Sequence, residues 1–137
     1  MTTTVLTTED VEKIMQSSIG TEKYYKPIFF NGMVYTDGVK AFAEHCQAYW
    51  VIDFVNSYMT KVLNNYKRTE EWIYFIQLKV KDSEATLKVY REVEEKKKTV
   101  FKQDIPYTDL PDVDIKFYLQ LAQEEPTVFC LMCPSEN

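Results

Sequence analysis

The sequence predicts an α+β fold in which N-terminal helices pack on one face of an antiparallel sheet of about five strands. Helical spacing of apolar residues dominates the first half of the chain, and apolar–polar alternation dominates the second half. Charged or proline-containing turns separate the alternating segments. Helices early and strands late are typical of α+β proteins. A chain of 137 residues suits one domain, so residues 1–137 are expected to form a single domain.

The first predicted element is a short helix after residue 7. Thr7 or Thr8 is a suitable N-cap, and Glu9 and Asp10 are acids in the first turn. We expect this helix to end near Gly20, because glycine suits the left-handed turn that closes many helices.

The second predicted element is a β-hairpin. Two apolar runs, Ile28–Phe30 and Met33–Tyr35, flank Asn31-Gly32, the dipeptide that type I′ turns favour. The segment from Asp37 to Asn64 then shows helical spacing. One long helix or two helices with a break near Gln47-Ala48 both fit this pattern.

The remaining elements are strands and turns. Alternating apolar residues start at Trp72 and predict a strand to Val80, a turn at residues 81–84, and a second strand through Leu87, Val89 and Val93. Further strands are predicted at residues 99–105 and 127–133. The segment from Asp114 to Ala122 alternates like a strand, but it contains no residue that excludes a helix.

Composition and charge restrict the cellular setting. Residues 1–10 contain neither the basic nor the apolar region of a signal peptide, and no run approaches the length of a membrane span. Three cysteines without such a signal indicate reduced thiols in a cytoplasm. The net charge is −5, and residues 104–137 hold seven acids against one base. We therefore expect neither direct nucleic-acid binding nor a membrane partner.

The chain lacks the sequence motifs of most enzyme classes. The three glycines fit neither a phosphate-binding loop nor a dinucleotide fingerprint, and the single histidine, His45, excludes two-histidine metal motifs. Cys130 and Cys133 have the spacing of half a zinc site, to which His45 and Cys46 could add ligands. Residues three apart on a strand point to opposite faces, however, so we expect buried thiols and no metal or other cofactor.

The candidate binding residues are aromatic or acidic. Asp53 lies in an apolar run, where a carboxylate is expected to be buried and hydrogen-bonded or else to contact a ligand. The tripeptide Tyr-Thr-Asp occurs twice, and each copy is expected to stop a strand, with Thr or Asp capping the following helix or turn. Asp37 and Asp109 would then lie close together at one sheet edge. The full candidate set is Tyr24, Tyr25, Tyr35, Asp37, Trp50, Asp53, Tyr107 and Asp109.

Several blocks of sequence resemble a family of small phage and bacterial proteins classed only as a domain of unknown function. They are Gly20–Tyr25, Val34–Lys40, Ala48–Asp53, Gln103–Asp109 and Pro134–Glu136. The resemblance implies a phage or mobile-element setting and no particular activity. The Tyr49-Trp50 pair is also similar to one in plasmid antirestriction proteins.

These observations lead to two functional hypotheses. The first is a non-enzymatic accessory protein that binds and inhibits a host defence or regulatory protein in the host cytoplasm, with the acidic C-terminal segment opposing a basic partner. The alternative is a small-molecule binder whose pocket is lined by the candidate aromatics and carboxylates. An enzyme that uses Asp37 or Asp53 as a general base is a third reading. A homodimer is left open.

Overall fold

The computed structural model describes residues 6–16 and 23–136, and it confirms the α+β class. Seven strands form one sheet, rather than about five, in the order β1-β2-β7-β6-β3-β4-β5. Neighbouring strands are antiparallel except for the parallel pair β2 and β7. The helices are α1 (Thr8–Gln16), α2 (Asp37–His45), α3 (Tyr49–Ser57) and α4 (Met59–Thr69). The strands are β1 (Tyr24–Tyr25), β2 (Met33–Thr36), β3 (Ile73–Lys81), β4 (Glu84–Val93), β5 (Lys96–Ile105), β6 (Val113–Gln123) and β7 (Val128–Met132), and a 3-10 turn at Pro134–Glu136 follows them.

Helix α1 begins where the sequence predicts. The Thr7 hydroxyl accepts a hydrogen bond from the Asp10 backbone N–H at 3.1 Å, and Asp10 Oδ2 accepts one from the Thr7 N–H at 3.1 Å. This reciprocal capping lowers the pKa of Asp10, chiefly through the backbone hydrogen bond from Thr7. The expected end near Gly20 lies outside the described residues.

The segment after Asp37 contains three helices. Gln47 adopts a left-handed backbone with φ of 51° and separates α2 from α3, at the predicted break. A second interruption at Tyr58 separates α3 from α4. The segment from Asp114 to Ala122, whose sequence allows a strand or a helix, lies within strand β6.

The predicted hairpin around Asn31-Gly32 is wrong. Gly32 has φ of 78°, but Asn31 does not have the positive φ that a type I′ turn needs at both central positions. Ile28 to Phe30 form no strand, and β2 instead pairs with Tyr24–Tyr25 and with β7. A Cβ at Gly32 would lie 3.2 Å from Leu63 Cδ1, so glycine serves a close approach as well as a turn.

Helices and sheet share one hydrophobic core. Tyr74, Ile76, Leu78 and Val80 point from β3 into it, as the predicted alternation requires, whereas Trp72 precedes the strand and is exposed. The opposite sheet face carries an aromatic cluster of Phe75, Tyr90 and Tyr118, with centroid distances of 5.4 Å and 5.3 Å from Phe75. No helix of the described part of the chain is long and apolar enough to cross a membrane.

Candidate functional site

Three of the predicted site residues line one pocket. Trp50, Tyr107 and Asp109 surround a cavity of about 340 Å³ between the start of α3 and the loop after β5. The remaining lining residues are Cys46, Gln47, Ile105, Thr108 and Leu110. We call this the Trp50 pocket. Its walls combine two aromatic rings with one carboxylate, and this combination suits a cationic group.

The loop side of the Trp50 pocket is fixed by the second Tyr-Thr-Asp. The buried Thr108 accepts a hydrogen bond from Leu110 N–H at 3.2 Å, and its backbone N–H donates to Ser83 O at 2.8 Å. Thr108 therefore forms the predicted turn and ties the loop to the β3–β4 turn. The exposed Tyr107 hydroxyl donates to Asp109 Oδ1 at 2.6 Å, and this hydrogen bond raises the pKa of Tyr107.

The helical side of the Trp50 pocket depends on the break between α2 and α3. Gln47 adopts a left-handed backbone that ends α2, Ala48 N–H donates to Ala43 O at 2.8 Å, and α3 starts with Trp50 in its first turn. Trp50 is partly buried and packs on the core. Burial raises the pKa of Cys46, at the pocket base, to about 11, and the nearby Asp10 charge adds to this effect.

Acidic side chains gather around the same end of the sheet. Asp112 Oδ1 accepts a hydrogen bond from Asp82 N–H at 2.9 Å, which joins the loop to the β3–β4 turn. We define the acidic end as Asp82, Glu84, Asp104, Asp109, Asp112 and Asp114. Two lysines, Lys79 and Lys81, share these strand ends, and negative charge predominates at this end of the sheet. Asp104 and Asp114 project from the sheet face opposite the helices, whereas Asp109 lines the Trp50 pocket.

Four other predicted residues lie at the opposite side of the sheet. Tyr25 and Tyr35 stack at 5.6 Å between β1 and β2, and Tyr24 pairs with Thr36 in the same ladder. Lys40 Nζ lies 4.4 Å from the Tyr25 ring centroid. Asp37 Oδ2 accepts a hydrogen bond from Lys23 N–H at 3.1 Å. These contacts place Tyr25 and Tyr35 against the core and Asp37 at the start of α2.

The expected proximity of Asp37 and Asp109 is wrong. The first Tyr-Thr-Asp ends β2, whereas the second follows β5, the last strand at the far side of the sheet. Four strands, β7, β6, β3 and β4, lie between β2 and β5, so the two carboxylates lie at opposite sides of the sheet although each follows the end of a strand. The predicted cap is correct, because Thr36 accepts a hydrogen bond from Val39 N–H.

The expected burial of Asp53 is also wrong. Asp53 is exposed on α3, while Val51, Ile52, Val55 and Asn56 are buried. Successive helical residues are rotated by about 100°, so an apolar run can still place one residue towards solvent. Asp53 instead lines a separate cavity beneath residues 28–31.

The cysteines occupy three different environments. Cys130 lies on the sheet face opposite the helices, and Cys133 Sγ packs 3.8 Å from Met15 Sδ on α1. The described residues contain no group of three or more His, Cys, Asp or Glu residues that could hold a metal ion. His45 is exposed at the end of α2. The paired spacing in the sequence therefore reflects two buried thiols on opposite faces.

All three thiols are expected to resist modification in the folded protein. Burial raises the pKa of Cys46 to about 11 and that of Cys130 to about 12, and it also raises that of Cys133. At pH 8 these groups are therefore protonated thiols, which are poor nucleophiles. Titration with a disulfide reagent should give almost no fast reaction in buffer and three equivalents in denaturant. A fast equivalent without denaturant would contradict this prediction.

Sequence reasoning missed two features. Glu136 closes the C-terminus onto α2: its Oε1 accepts hydrogen bonds from Thr36 Oγ1 at 2.6 Å and Cys133 N–H at 3.0 Å, and its Oε2 accepts one from Gly38 N–H at 3.1 Å. The apolar run predicts a strand at Ile28 and Phe29, yet these residues are 92% and 85% exposed. The preceding Pro27 gave a signal, since proline has no N–H for a sheet ladder.

The fold and the Trp50 pocket define a small α+β protein with an aromatic and carboxylate-lined recess at the end of its sheet. The chain belongs to the family of unknown function DUF6876, whose model matches residues 9–137. The resemblance to an unknown-function family is thereby confirmed. Neither a curated protein nor a solved structure matches the chain.

Proposed function

We propose that this chain is a non-enzymatic binding protein that captures a basic side chain of a protein partner in the Trp50 pocket. The observation that carries the proposal is the convergence of Trp50, Tyr107 and Asp109, from segments far apart in sequence, on one recess beside the acidic end. A guanidinium or ammonium group is attracted to an aromatic face and to a carboxylate. The pocket offers both to the same occupant.

The surrounding charge supports a protein partner with a basic surface. Carboxylates at the acidic end raise the association rate of a positively charged partner and disfavour a negatively charged one. Host proteins that bind nucleic acid present such basic surfaces. The proposed setting is therefore a phage or mobile-element protein that occupies the basic surface of a host defence or regulatory protein in the cytoplasm.

The same pocket chemistry also suits a free small cation. A volume of about 340 Å³ lies at the lower end of the range for small-molecule sites, about 300–1,000 Å³. A free ligand would make its contacts inside the recess, whereas a protein partner would also use the acidic end. The two sources can therefore be separated by comparing a basic peptide with a single amino-acid derivative.

Binding of an arginine-rich peptide is expected to depend on Asp109 and Trp50. In a Trp72→Phe background, Trp50 is the only tryptophan and its fluorescence reports occupancy. Asp109→Asn should weaken peptide binding about tenfold or more, because one charge-assisted contact is lost. Asp53→Asn makes the same chemical change on an exposed residue outside the pocket and should change affinity less than twofold.

The arms of this titration distinguish the outcomes. Affinity that falls steeply with salt and greatly exceeds that of free arginine amide supports a protein partner. Equal binding of both probes supports the small-cation alternative. No binding of either probe at low ionic strength, or equal losses in Asp109→Asn and Asp53→Asn, refutes the pocket as the site. If the proposal is correct, the tagged protein should also retain a basic host protein in affinity purification, and a folded Trp50→Ala variant should not retain it.

A further inference from the structure

Residues 28–30 present an unusual apolar surface at the end of the sheet opposite the acidic end. Ile28 is 92% exposed, Phe29 85% and Phe30 45%, and Tyr24 on the adjoining strand is 62% exposed. Three consecutive large apolar residues in contact with water are rare in a folded domain without a binding role. We call Ile28, Phe29 and Phe30 the apolar loop.

The base of the apolar loop is held by hydrogen bonds. Asn56 Nδ2 donates to Phe29 O at 2.6 Å, and Asn31 Nδ2 donates to Asn56 O at 3.2 Å. Pro27 is buried at one end of the loop, and Gly32 O accepts from Phe129 N–H at 2.9 Å at the other. A loop fixed at its base loses little conformational entropy on binding, so its exposed side chains are preorganised for a contact.

A groove of matching chemistry lies next to the apolar loop. It has a volume of about 680 Å³ and runs over the sheet face opposite the helices. Its apolar walls include Val34 on β2, Val128 and Met132 on β7, and Leu121 on β6. Phe30 lines both this groove and the cavity beneath the loop. One chain therefore carries an apolar projection and an apolar recess side by side.

We propose that two copies of this chain dimerise by placing the apolar loop of each protomer in the groove of the other. Adjacent projection and recess are what a two-fold interface requires, because the same patch must serve both protomers. Lys26 stands on one wall of the groove, and the turn with Glu124 and Glu125 adjoins Gln123 and Pro126 on another. In the proposed interface, Lys26 of each protomer pairs with Glu124 or Glu125 of the other.

The available area suffices for a stable dimer. Large apolar side chains bury on the order of 150–250 Å² each, so the exposed parts of the loop and Tyr24 remove on the order of 500 Å² per protomer. The groove walls that they cover add a smaller area. Summed over both loops and both grooves, the total is on the order of 1,300 Å², which lies at the lower end of the usual size of a specific interface, about 1,200–2,000 Å². The acidic ends lie at the other end of the sheet and stay accessible.

Sedimentation equilibrium of the full chain tests this proposal. The wild type should show a reversible monomer–dimer equilibrium with a dimer of twice the 16.2 kDa chain mass. The double variant Ile28→Ser/Phe29→Ser should raise the dimer dissociation constant at least tenfold. At a dilution where both proteins are monomeric, it should leave the thermal midpoint unchanged, because both side chains are exposed. Tyr49→Ser changes an exposed aromatic residue on α3, away from the groove, and should leave dimerisation unchanged.

A second variant changes the groove instead of the loop. Val128→Lys adds a charge to the groove wall and should weaken dimerisation to a similar degree. Circular dichroism checks that this variant is folded. If it is not folded, the loop variant alone tests the proposal. A wild type that stays monomeric at high concentration overturns the proposal, as does a monomer whose loop binds only a different protein. A dimer that is insensitive to both variants, or equally sensitive to Tyr49→Ser, also overturns it. None of these outcomes bears on peptide binding in the Trp50 pocket.

Discussion

Replacing Phe129 with alanine is expected to lower the free energy of unfolding by about 3–5 kcal/mol, the range for truncating a fully buried aromatic ring. Phe129 lies in β7 and is 0% exposed. Its ring meets the edges of Tyr66 on α4 and Tyr74 on β3 at centroid distances of 5.7 Å each. The variant leaves a cavity where α4 packs on the sheet, and these surrounding elements cannot easily collapse into it.

The control for this prediction is Phe29→Ala. It makes the same chemical change on a residue that is 85% exposed, and it should alter the free energy of unfolding of the monomer by less than about 0.5 kcal/mol. Urea unfolding of both variants under conditions where each is monomeric gives the comparison. A loss below about 1 kcal/mol for Phe129→Ala would contradict the described packing.

Local sequence patterns predicted the elements whose cause is local. Alternation from Tyr74 to Val80 encodes β3, since strand side chains point to opposite faces in turn. The turn at Asp82 and Ser83, with φ of 52° and 65°, was recognisable from its charged and small residues. The predicted Thr36 cap formed for the same reason, because it depends only on the three residues that follow.

Long-range pairing could not be predicted in this way. The parallel ladder of β2 and β7 joins Val34 to Cys130, and no periodicity within either strand specifies a partner so distant in sequence. The hairpin prediction at Asn31-Gly32 failed because this ladder and the close approach of Leu63 determine the conformation there. Tertiary contacts overrode a local turn signal.

The candidate site likewise depends on both local residue types and long-range contacts. Sequence reasoning selected Trp50, Tyr107 and Asp109 as residue types suited to binding, and the structure brings these three together. The sequence alone could not distinguish these three residues from Tyr25 and Tyr35, whose rings stack against the core, or from Asp53 on another surface. Which aromatic and acidic residues share a recess depends on the path of the loop after β5, and that path is set by the contact of Thr108 with Ser83.

Glu136→Ala is expected to destabilise the fold by about 2–4 kcal/mol, although this residue lies next to the C-terminus. Among the described residues, its carboxylate accepts hydrogen bonds from Thr36 Oγ1, Gly38 N–H and Cys133 N–H. Two of these donors belong to the start of α2, where an anion is further favoured by the helix dipole. Removing the carboxylate takes an acceptor from donors that belong to buried residues. An unsatisfied buried donor costs more free energy than an ordinary hydrogen bond contributes.

Two comparison variants separate charge from geometry at Glu136. Glu136→Gln keeps one acceptor oxygen but loses the charge, and it should cost roughly half as much, since hydrogen bonds to ionised acceptors are about twice as strong as neutral ones. Glu125→Ala removes an exposed carboxylate from the β6–β7 turn and should stay within about 0.5 kcal/mol of the wild type. Chemical denaturation at protein concentrations where each protein is monomeric measures all three variants. Equal stability of Glu136→Ala and Glu125→Ala would show that the C-terminal 3-10 turn does not hold α2 to the sheet, and that the Thr36 cap alone fixes the start of this helix.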